Sequence, residues 1–213
     1  MSEEIQTNDE PVFDLSGGSL CLDFANTIDD RWTEVQREHL TSYRSLVAWA
    51  EQTQILSNEE AEQLLAVAAR QPDKADAVLQ QAIAVREVIY RIFAALAQEE
   101  TPADTDLAQL NEALAHALPH NKLVRHKQHF AWGWAFNPEA LDYIIWPAVR
   151  SAADLLTSDT LPMLRICAAD DCRWLFMDTS KNQTRRWCNM KSCGNRAKAR
   201  RHIERKKQAV RVV

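Results

Sequence analysis

Apolar residues recur at spacings of three and four along much of the chain, which predicts a mostly helical protein. The first such pattern begins near Thr41. Ser57 and Glu60 then form a capping box that opens a second helix. After Pro72 a broad apolar stripe continues without interruption to Thr101, so we expect a long central helix there.

Two further helices are predicted after the central one. Thr101 and Asp104 are N-cap candidates for a helix that ends at Pro119. A last helix follows Asn137 and carries apolar residues at helical spacing as far as Leu156. Pro147 should kink this helix, because proline cannot donate the backbone hydrogen bond that a helix interior requires.

Two segments favour strands instead. Gly17 and Gly18 form a turn before alternating apolar residues, which predicts a short strand from Ser19 to Phe24. The aromatic stretch between Asn121 and Asn137 predicts a β-hairpin. We therefore expect a helical α+β domain over residues 1–157, with a loose lead-in of about a dozen residues, and a polar boundary before a small module at residues 162–213.

Charge separates these two parts more sharply than the net value of −5 suggests. Residues 1–160 carry 11 Lys and Arg against 26 Asp and Glu, whereas residues 161–213 carry 14 against 4, so the parts hold −15 and +10. This division is typical of an acidic sensor or interaction domain joined to a module that binds a polyanion. The chain has no apolar run long enough to cross a membrane and no signal-peptide core, so we expect a cytoplasmic protein.

Four of the five cysteines lie in the basic part, as Cys167-x4-Cys172 and Cys188-x4-Cys193, with fifteen residues between the pairs. Two matched pairs of thiolates suit a structural zinc ion with tetrahedral coordination. Zinc is the predicted cofactor, and the alternative is four thiols without a metal. Cys21, the fifth cysteine, could be a nucleophile, but its apolar neighbours favour a buried position.

Between the two cysteine pairs, Trp174–Met177 and Arg185–Trp187 flank a turn, which predicts a hairpin with a small aromatic core. Gly194 directly follows the last cysteine and begins a helix-compatible run to about Lys207. A knuckle, a hairpin and a helix that carries the last ligand together make a treble-clef zinc finger.

The segment Trp187-Cys188-Asn189-Met190-x-x-Cys193-Gly194-Asn195-Arg196-x-Lys198 resembles the CGNR zinc finger. The segment Gly17-Gly18-x-Leu20-x-Leu22-Asp23-Phe24-x-Asn26-Thr27 resembles the start of the ABATE domain that usually precedes this finger. The resemblance covers both ends of the chain. It implies a bacterial stress-related transcription regulator whose finger binds DNA.

A helical wheel separates the residues of the last helix into two faces. Ala199 and Ile203 should face the core of the finger. The opposite face should reach phosphates or base edges, and its predicted nucleic-acid contacts are Lys198, Arg201 and Arg205, with Asn195 at its margin. Arg185 and Arg186, in the predicted hairpin, would add to these contacts. Arg196 falls near Ile203, so we expect it to be partly structural. The alternative is a solvated basic tail without a partner.

The first domain offers a possible pocket for a small-molecule effector. Trp132 and Trp134 could line it, with Asp23 and Asn26 as polar members at a strand end. Core packing would explain the aromatic residues equally well. Four histidines between His116 and His129 could bind a second metal, but scattered surface histidines are the simpler interpretation.

We predict from these features a zinc-dependent, DNA-binding transcription regulator. The alternative is a finger that binds RNA or a protein partner without regulating transcription. The sequence lacks paired carboxylates, a phosphate-binding loop and a nucleophile–base motif, so we expect no enzymatic activity. A single finger contacts few bases, which favours a homodimer.

Overall fold

A computed structural model describes residues 12–127 and 129–211, with only the backbone for residue 126 and for residues 204–211. The predicted lead-in lies outside these residues except for its end at Val12. The α-helices are α1 (Leu20–Ala25), α2 (Tyr43–Gln52), α3 (Asn58–Arg70), α4 (Pro72–Ala97), α5 (Asp104–Ala117), α6 (Ile145–Leu156) and α7 (Asn195–Arg211). The strands are β1 (Ile28–Asp29), β2 (Arg37–Glu38), β3 (Asn121–His126), β4 (His129–Trp134), β5 (Leu164–Ile166) and β6 (Leu175–Met177). The strands form antiparallel pairs β1–β2, β3–β4 and β5–β6.

The core of the molecule lies around α4, which packs against α1, α2, α3, α5 and α6. Phe93 on α4, Phe24 on α1 and Trp49 on α2 are fully buried. The rings of Phe24 and Trp49 lie 4.9 Å apart. Arg86 is the large polar exception in this core. Its guanidinium makes two hydrogen bonds to the carboxylate of Glu38, of 2.6 and 2.7 Å, so the charge is paired where it is buried.

The helical predictions are confirmed at several points. Ser57 and Glu60 form the reciprocal capping box at the start of α3. The central helix spans α4, and the aromatic stretch forms the β3–β4 hairpin, in which Leu123 lies opposite Trp132. The mostly helical α+β fold with a small cysteine-rich module at the end is therefore the fold of this chain.

Two predictions about helix ends were wrong. The N-cap of α5 is Ala103, and neither Thr101 nor Asp104 caps it. Pro147 does not interrupt a helix, because α6 begins at Ile145, after a 3₁₀ turn over Leu141–Ile144. Proline in the first turn leaves no hydrogen bond missing there, since the first N–H groups of a helix have no partner within it.

The predicted strand from Ser19 to Phe24 was also wrong, because this segment is helix α1. Four of its six residues are buried, since other elements cover the short helix on most sides. A short apolar run that is buried all round has the same pattern in a helix and in a strand, so periodicity could not separate the two.

The hairpin predicted inside the finger was wrong in its pairing. Residues Leu175–Met177 form strand β6 as expected, but β6 pairs with β5, which precedes the first cysteine. Residues 185–187 form no strand. The backbone N–H of Ala168 donates to the carbonyl of Arg186 over 2.8 Å, so this segment lies beside the knuckle instead of pairing with β6.

Candidate metal centre and nucleic-acid interface

The structure brings the two cysteine pairs together. Cys167 directly follows β5, and Cys172 lies three residues before β6, so one hairpin presents the first pair. All four sulfur atoms lie within 4.8 Å of one another, and all four residues are buried. Within the residues searched, this is the group of potential ligands that meets the geometry of a metal site.

The spacing of the sulfur atoms fits a tetrahedral metal ion. The Cys172–Cys188 and Cys188–Cys193 sulfurs are 3.6 and 3.7 Å apart. Four ligands at the usual zinc–sulfur distance of about 2.3 Å would lie about 3.8 Å from one another. A disulfide would require about 2.05 Å, and all four cysteines are free. Hydrogen bonds from the other three cysteines hold the pKa of Cys167 well below its usual range. The same cluster raises the pKa of Cys172 and of Cys188, so four thiolates together would need the positive charge of a metal ion.

A single π-helical turn carries Cys193. Residues Met190–Gly194 form one π-helical turn, closed by a 3.1 Å bond from the Gly194 N–H to the Asn189 carbonyl. A Cβ at Gly194 would lie 2.7 Å from the sulfur of Met190, which is an exposed, flexible side chain that can move aside. The turn delivers the fourth ligand directly before the start of α7.

Arg196 lies against the metal site. Its Nη2 donates to the Cys193 sulfur over 3.2 Å, and its Nε lies 3.7 Å from the carboxylate of Asp171. The same carboxylate pairs with Arg200 at 2.8 Å. A hydrogen bond from a neighbouring side chain to a metal ligand orients that ligand and stabilises its negative charge. Asp171 is a site residue that the sequence analysis missed, and its position next to Cys172 was the available signal.

Arg185 lies inside the finger, although we predicted it as a nucleic-acid contact. Its guanidinium stacks over the Phe176 ring at 4.5 Å. It also donates to the carbonyls of Trp187 and Cys188. These contacts stabilise the loop before the third ligand, so little of the charge is directed at solvent.

Lys198 and Arg201 on α7 are both exposed. Arg186 is exposed as well, with its guanidinium 5.5 Å from the Trp187 ring. Asn195 is exposed, but its side chain donates to the carbonyl of Lys191 over 3.1 Å. The side chain of Arg205 lies outside the described residues.

The predicted inner face of α7 was wrong. Ala199 is exposed and Ile203 is 53% exposed, so neither reaches the core of the finger. That core is filled by Trp174, Phe176 and the cysteines, with Trp187 packed on it. The buried residues nearest to α7 are Cys193 and Gly194, which precede it. The helical-wheel prediction requires α7 to pack against the finger along its whole length. The described contacts between α7 and the rest of the finger lie near the start of the helix.

The N-terminal motif holds the finger's hairpin. The side chain of Asn26 donates to the Leu175 carbonyl over 2.8 Å and accepts from the Leu175 N–H at 3.0 Å. The Met177 N–H donates to the carbonyl of Gly17 over 2.8 Å. Trp174 donates its indole N–H to the Ile28 carbonyl over 2.8 Å. We predicted Asn26 as a pocket residue, but it is 2% exposed and its amide is already paired with β6.

The four predicted pocket residues do not share one cavity. Trp132 and Trp134 line a cleft of about 540 Å³ beside α6. Asp23 and Asn26 border a separate cleft of about 300 Å³ near His39. The helical conformation of α1 explains the separation, because it directs Asp23 back to Gly17, whose N–H donates to its carboxylate over 2.8 Å. Burial raises the pKa of Asp23 to about 6.

The candidate nucleophile Cys21 and two of the candidate metal-binding histidines are surrounded by other side chains of the protein. Cys21 is fully buried, and burial raises the pKa of its thiol to about 11, which disfavours a nucleophilic thiolate. His116 lies 2.7 Å from the carboxylate of Asp142, and His120 stacks on Trp146 with the rings 4.0 Å apart.

Two family models match this chain, one after the other along the sequence. The model of the ABATE family, described as a putative stress-induced transcription regulator, matches residues 18–159. The model of the CGNR zinc finger matches residues 163–206. A comparison with curated proteins gives no match. Among the described residues, no helix is long and apolar enough to cross a membrane. Because the first match covers two thirds of the chain, this protein belongs to the ABATE family and carries a CGNR zinc finger.

Proposed function

We propose that this protein is a transcription regulator that binds DNA through a zinc-held finger. The observation that carries the proposal is that some arginines and lysines near the cysteines contact the finger itself, while others remain exposed. Arg185, Arg196 and Arg200 make contacts within the finger, whereas Lys198 and Arg201 are exposed and form no hydrogen bond or ion pair with the described residues. The segment from residue 161 onward carries a net charge of +10, which suits a polyanion.

Zinc is the metal that fits the site best. Four buried thiolates with tetrahedral spacing form a closed set, and soft sulfur ligands in this geometry select zinc over magnesium or calcium. A closed set leaves no position for water or substrate, so the metal would hold the finger in shape. We accordingly propose a cytoplasmic protein that acts by binding rather than by catalysis.

Duplex DNA is the proposed ligand, and a structured RNA is the alternative that an experiment must separate from it. Neighbouring residues of one exposed helical face can follow the phosphates at the edge of a groove or enter it. One finger reaches few bases, so we also propose that two copies of the chain act together on a site.

The test compares the full-length protein with a Lys198→Gln/Arg201→Gln double variant. Sequences are selected from random duplex DNA and, in parallel, from random RNA, and the affinity for the enriched sequence is measured over a range of salt concentrations. Loss of two phosphate contacts should weaken DNA binding roughly 10-fold or more. It should also reduce the slope of log affinity against log salt by about two.

A Lys122→Gln/Arg125→Gln variant is the matched control. It removes the same charge from exposed positions on the β3–β4 hairpin, so it should bind DNA nearly as the wild type does. Enrichment of RNA without DNA would contradict the proposal. Equal affinities of the wild type and the Lys198→Gln/Arg201→Gln variant would also contradict it.

A further inference from the structure

The 540 Å³ cleft lies where the helical domain meets the finger. The β3–β4 hairpin forms one wall with Trp132 and Trp134, and α6 forms another with Arg150 and Ser151. Met177 of β6 and Thr179 after it close the side toward the finger. A volume of this size is typical of small-molecule pockets, and their usual position is between structural units.

Two tryptophans line this cleft with flat indole rings, and their indole N–H groups are available as hydrogen-bond donors. Trp132 is 61% exposed, and Trp134 is partly buried. In the described part of the chain, neither indole N–H donates to a protein acceptor. Exposed indole faces bind planar rings, and indole N–H groups near an apolar surface favour a ligand that carries acceptor oxygens.

The charges of the cleft balance. Arg150 donates from Nε to the carboxylate of Asp154 over 2.8 Å and from Nη1 to the Asn121 side chain over 3.2 Å. Its guanidinium lies 5.3 Å from the Trp132 ring, which places a donor group beside the flat wall. One cation and one anion leave the cleft close to neutral. Because the two charges already pair with each other, a charged ligand would have to break this ion pair, whereas a neutral ligand can bind beside it.

A continuous set of contacts joins the cleft to the metal site. Thr179 follows Asp178, whose carboxylate accepts hydrogen bonds from the backbone N–H groups of Ser180 and Arg185, at 3.0 and 2.8 Å. Arg185 in turn donates to the carbonyl of Cys188, the third cysteine of the cluster. A ligand that displaces Thr179 would therefore act on the loop that positions Cys188.

We propose that this cleft is the effector site of the protein and that it binds neutral planar aromatic compounds with acceptor oxygens, such as phenols or aromatic amides. The identification of the ligand as an effector rests on the proposed DNA-binding function, but binding itself does not. Occupancy is expected to change the affinity of the finger for DNA through the loop from Thr179 to Cys188.

The binding test uses titration calorimetry on the full-length protein with three probes of one shape. These are 6-hydroxy-2-naphthamide, the anionic 6-hydroxy-2-naphthoate and a cationic aminomethyl analogue. The neutral amide should bind most tightly. Trp132→Ala should weaken it roughly 3- to 10-fold through loss of stacking, and Arg150→Gln should weaken it by a similar factor through loss of a donor.

Trp32→Ala is the matched control, since Trp32 is 63% exposed but does not border the cleft. It should leave the affinity for the amide unchanged. Melting temperatures of all variants show whether each is folded. Absence of saturable binding to the wild type would overturn the proposed site. Equal affinity in the wild type and in folded Trp132→Ala and Arg150→Gln variants would do the same. Tightest binding of either charged analogue would overturn the ligand class.

The coupling is tested by repeating the DNA titration with saturating amide. A change in DNA affinity that is absent in Trp132→Ala supports the effector role. Binding of the amide without any change in DNA affinity would overturn that role. If the protein bound the amide but no DNA, the proposed function would have failed and the cleft would remain a binding site.

Discussion

The two ends of the finger differ in how they are held. At one end, Leu175 and Met177 of β6 belong to the same buried core as the helices, and Asn26 pairs with the β6 backbone. At the other end, α7 follows the last cysteine, and Lys198, Arg201 and Ile203 are all exposed. The metal site lies between the two ends.

This difference indicates what each part of the sequence contributes. The apolar hairpin is stabilised by burial and by paired backbone groups, so its position should depend on the helical domain. The start of α7 depends on four sulfur atoms and on the pair of arginines at Asp171. The anchored end, which is β6 with its partner Asn26, and the projecting end, which is α7, should therefore respond to different substitutions. Three variants test the contacts that hold the finger.

The largest effect is expected from Cys188→Ser, which removes a ligand. Structural zinc contributes on the order of 10 kcal/mol to folding in small fingers, so this variant should lose bound zinc and DNA binding while the helical core still unfolds cooperatively. Metal analysis and thermal unfolding measure the two outcomes. Cys21→Ser is the control, because it also removes a buried cysteine and should keep about one zinc per chain. If Cys188→Ser retained zinc fully, the four-thiolate site would be refuted.

A smaller effect is expected from Asn26→Ala at the anchored end. The change leaves the N–H and carbonyl of Leu175 buried without partners, which should lower the free energy of unfolding by about 2–3 kcal/mol. Chemical denaturation measures this loss. Asn111→Ala, at an exposed position on α5, should change stability by less than about 0.5 kcal/mol. A similar small effect of Asn26→Ala would mean that the pairing with β6 does not anchor the finger.

The smallest effect is expected from Asp23→Asn. The folded-state pKa of about 6 lies above the ordinary value of 3.8, so the folded protein binds this proton more tightly than the unfolded chain. The contribution of Asp23 to stability is therefore present below about pH 4 and is lost as the pH rises through 6. Asparagine can still accept from the Gly17 N–H without a charge. It should raise stability at pH 7 by on the order of 1 kcal/mol relative to the wild type, after allowance for partial exposure.

Denaturation of wild type and Asp23→Asn at pH 4 and pH 7 gives the result. The gain from asparagine should be larger at pH 7 than at pH 4. An equal effect at both values would show that the environment of Asp23 does not shift its titration.

Short sequence motifs predicted the features that are formed by residues close together in the chain. The capping box at Ser57 and the paired cysteines carry their own geometry, so spacing alone was enough to identify them. The partner of β6 could not be found in this way, because residues 164–166 precede the cysteines and lack the aromatic pattern. The same limit applies to Asn26, whose partner Leu175 lies 149 residues away along the chain. Pairings over such distances depend on how the helices pack, and periodicity does not describe that packing.

The burial of Leu164, Leu175 and Met177 in the core of the helices has a consequence for transferring the finger to other proteins. A fragment that began near residue 162 would expose all three side chains to water and would lose the partners of its backbone at Gly17 and Asn26. The finger is therefore not expected to fold independently of the helical domain. A chimaera that carries it would also need the segment from Gly17 to Ile28, from the opposite end of the chain.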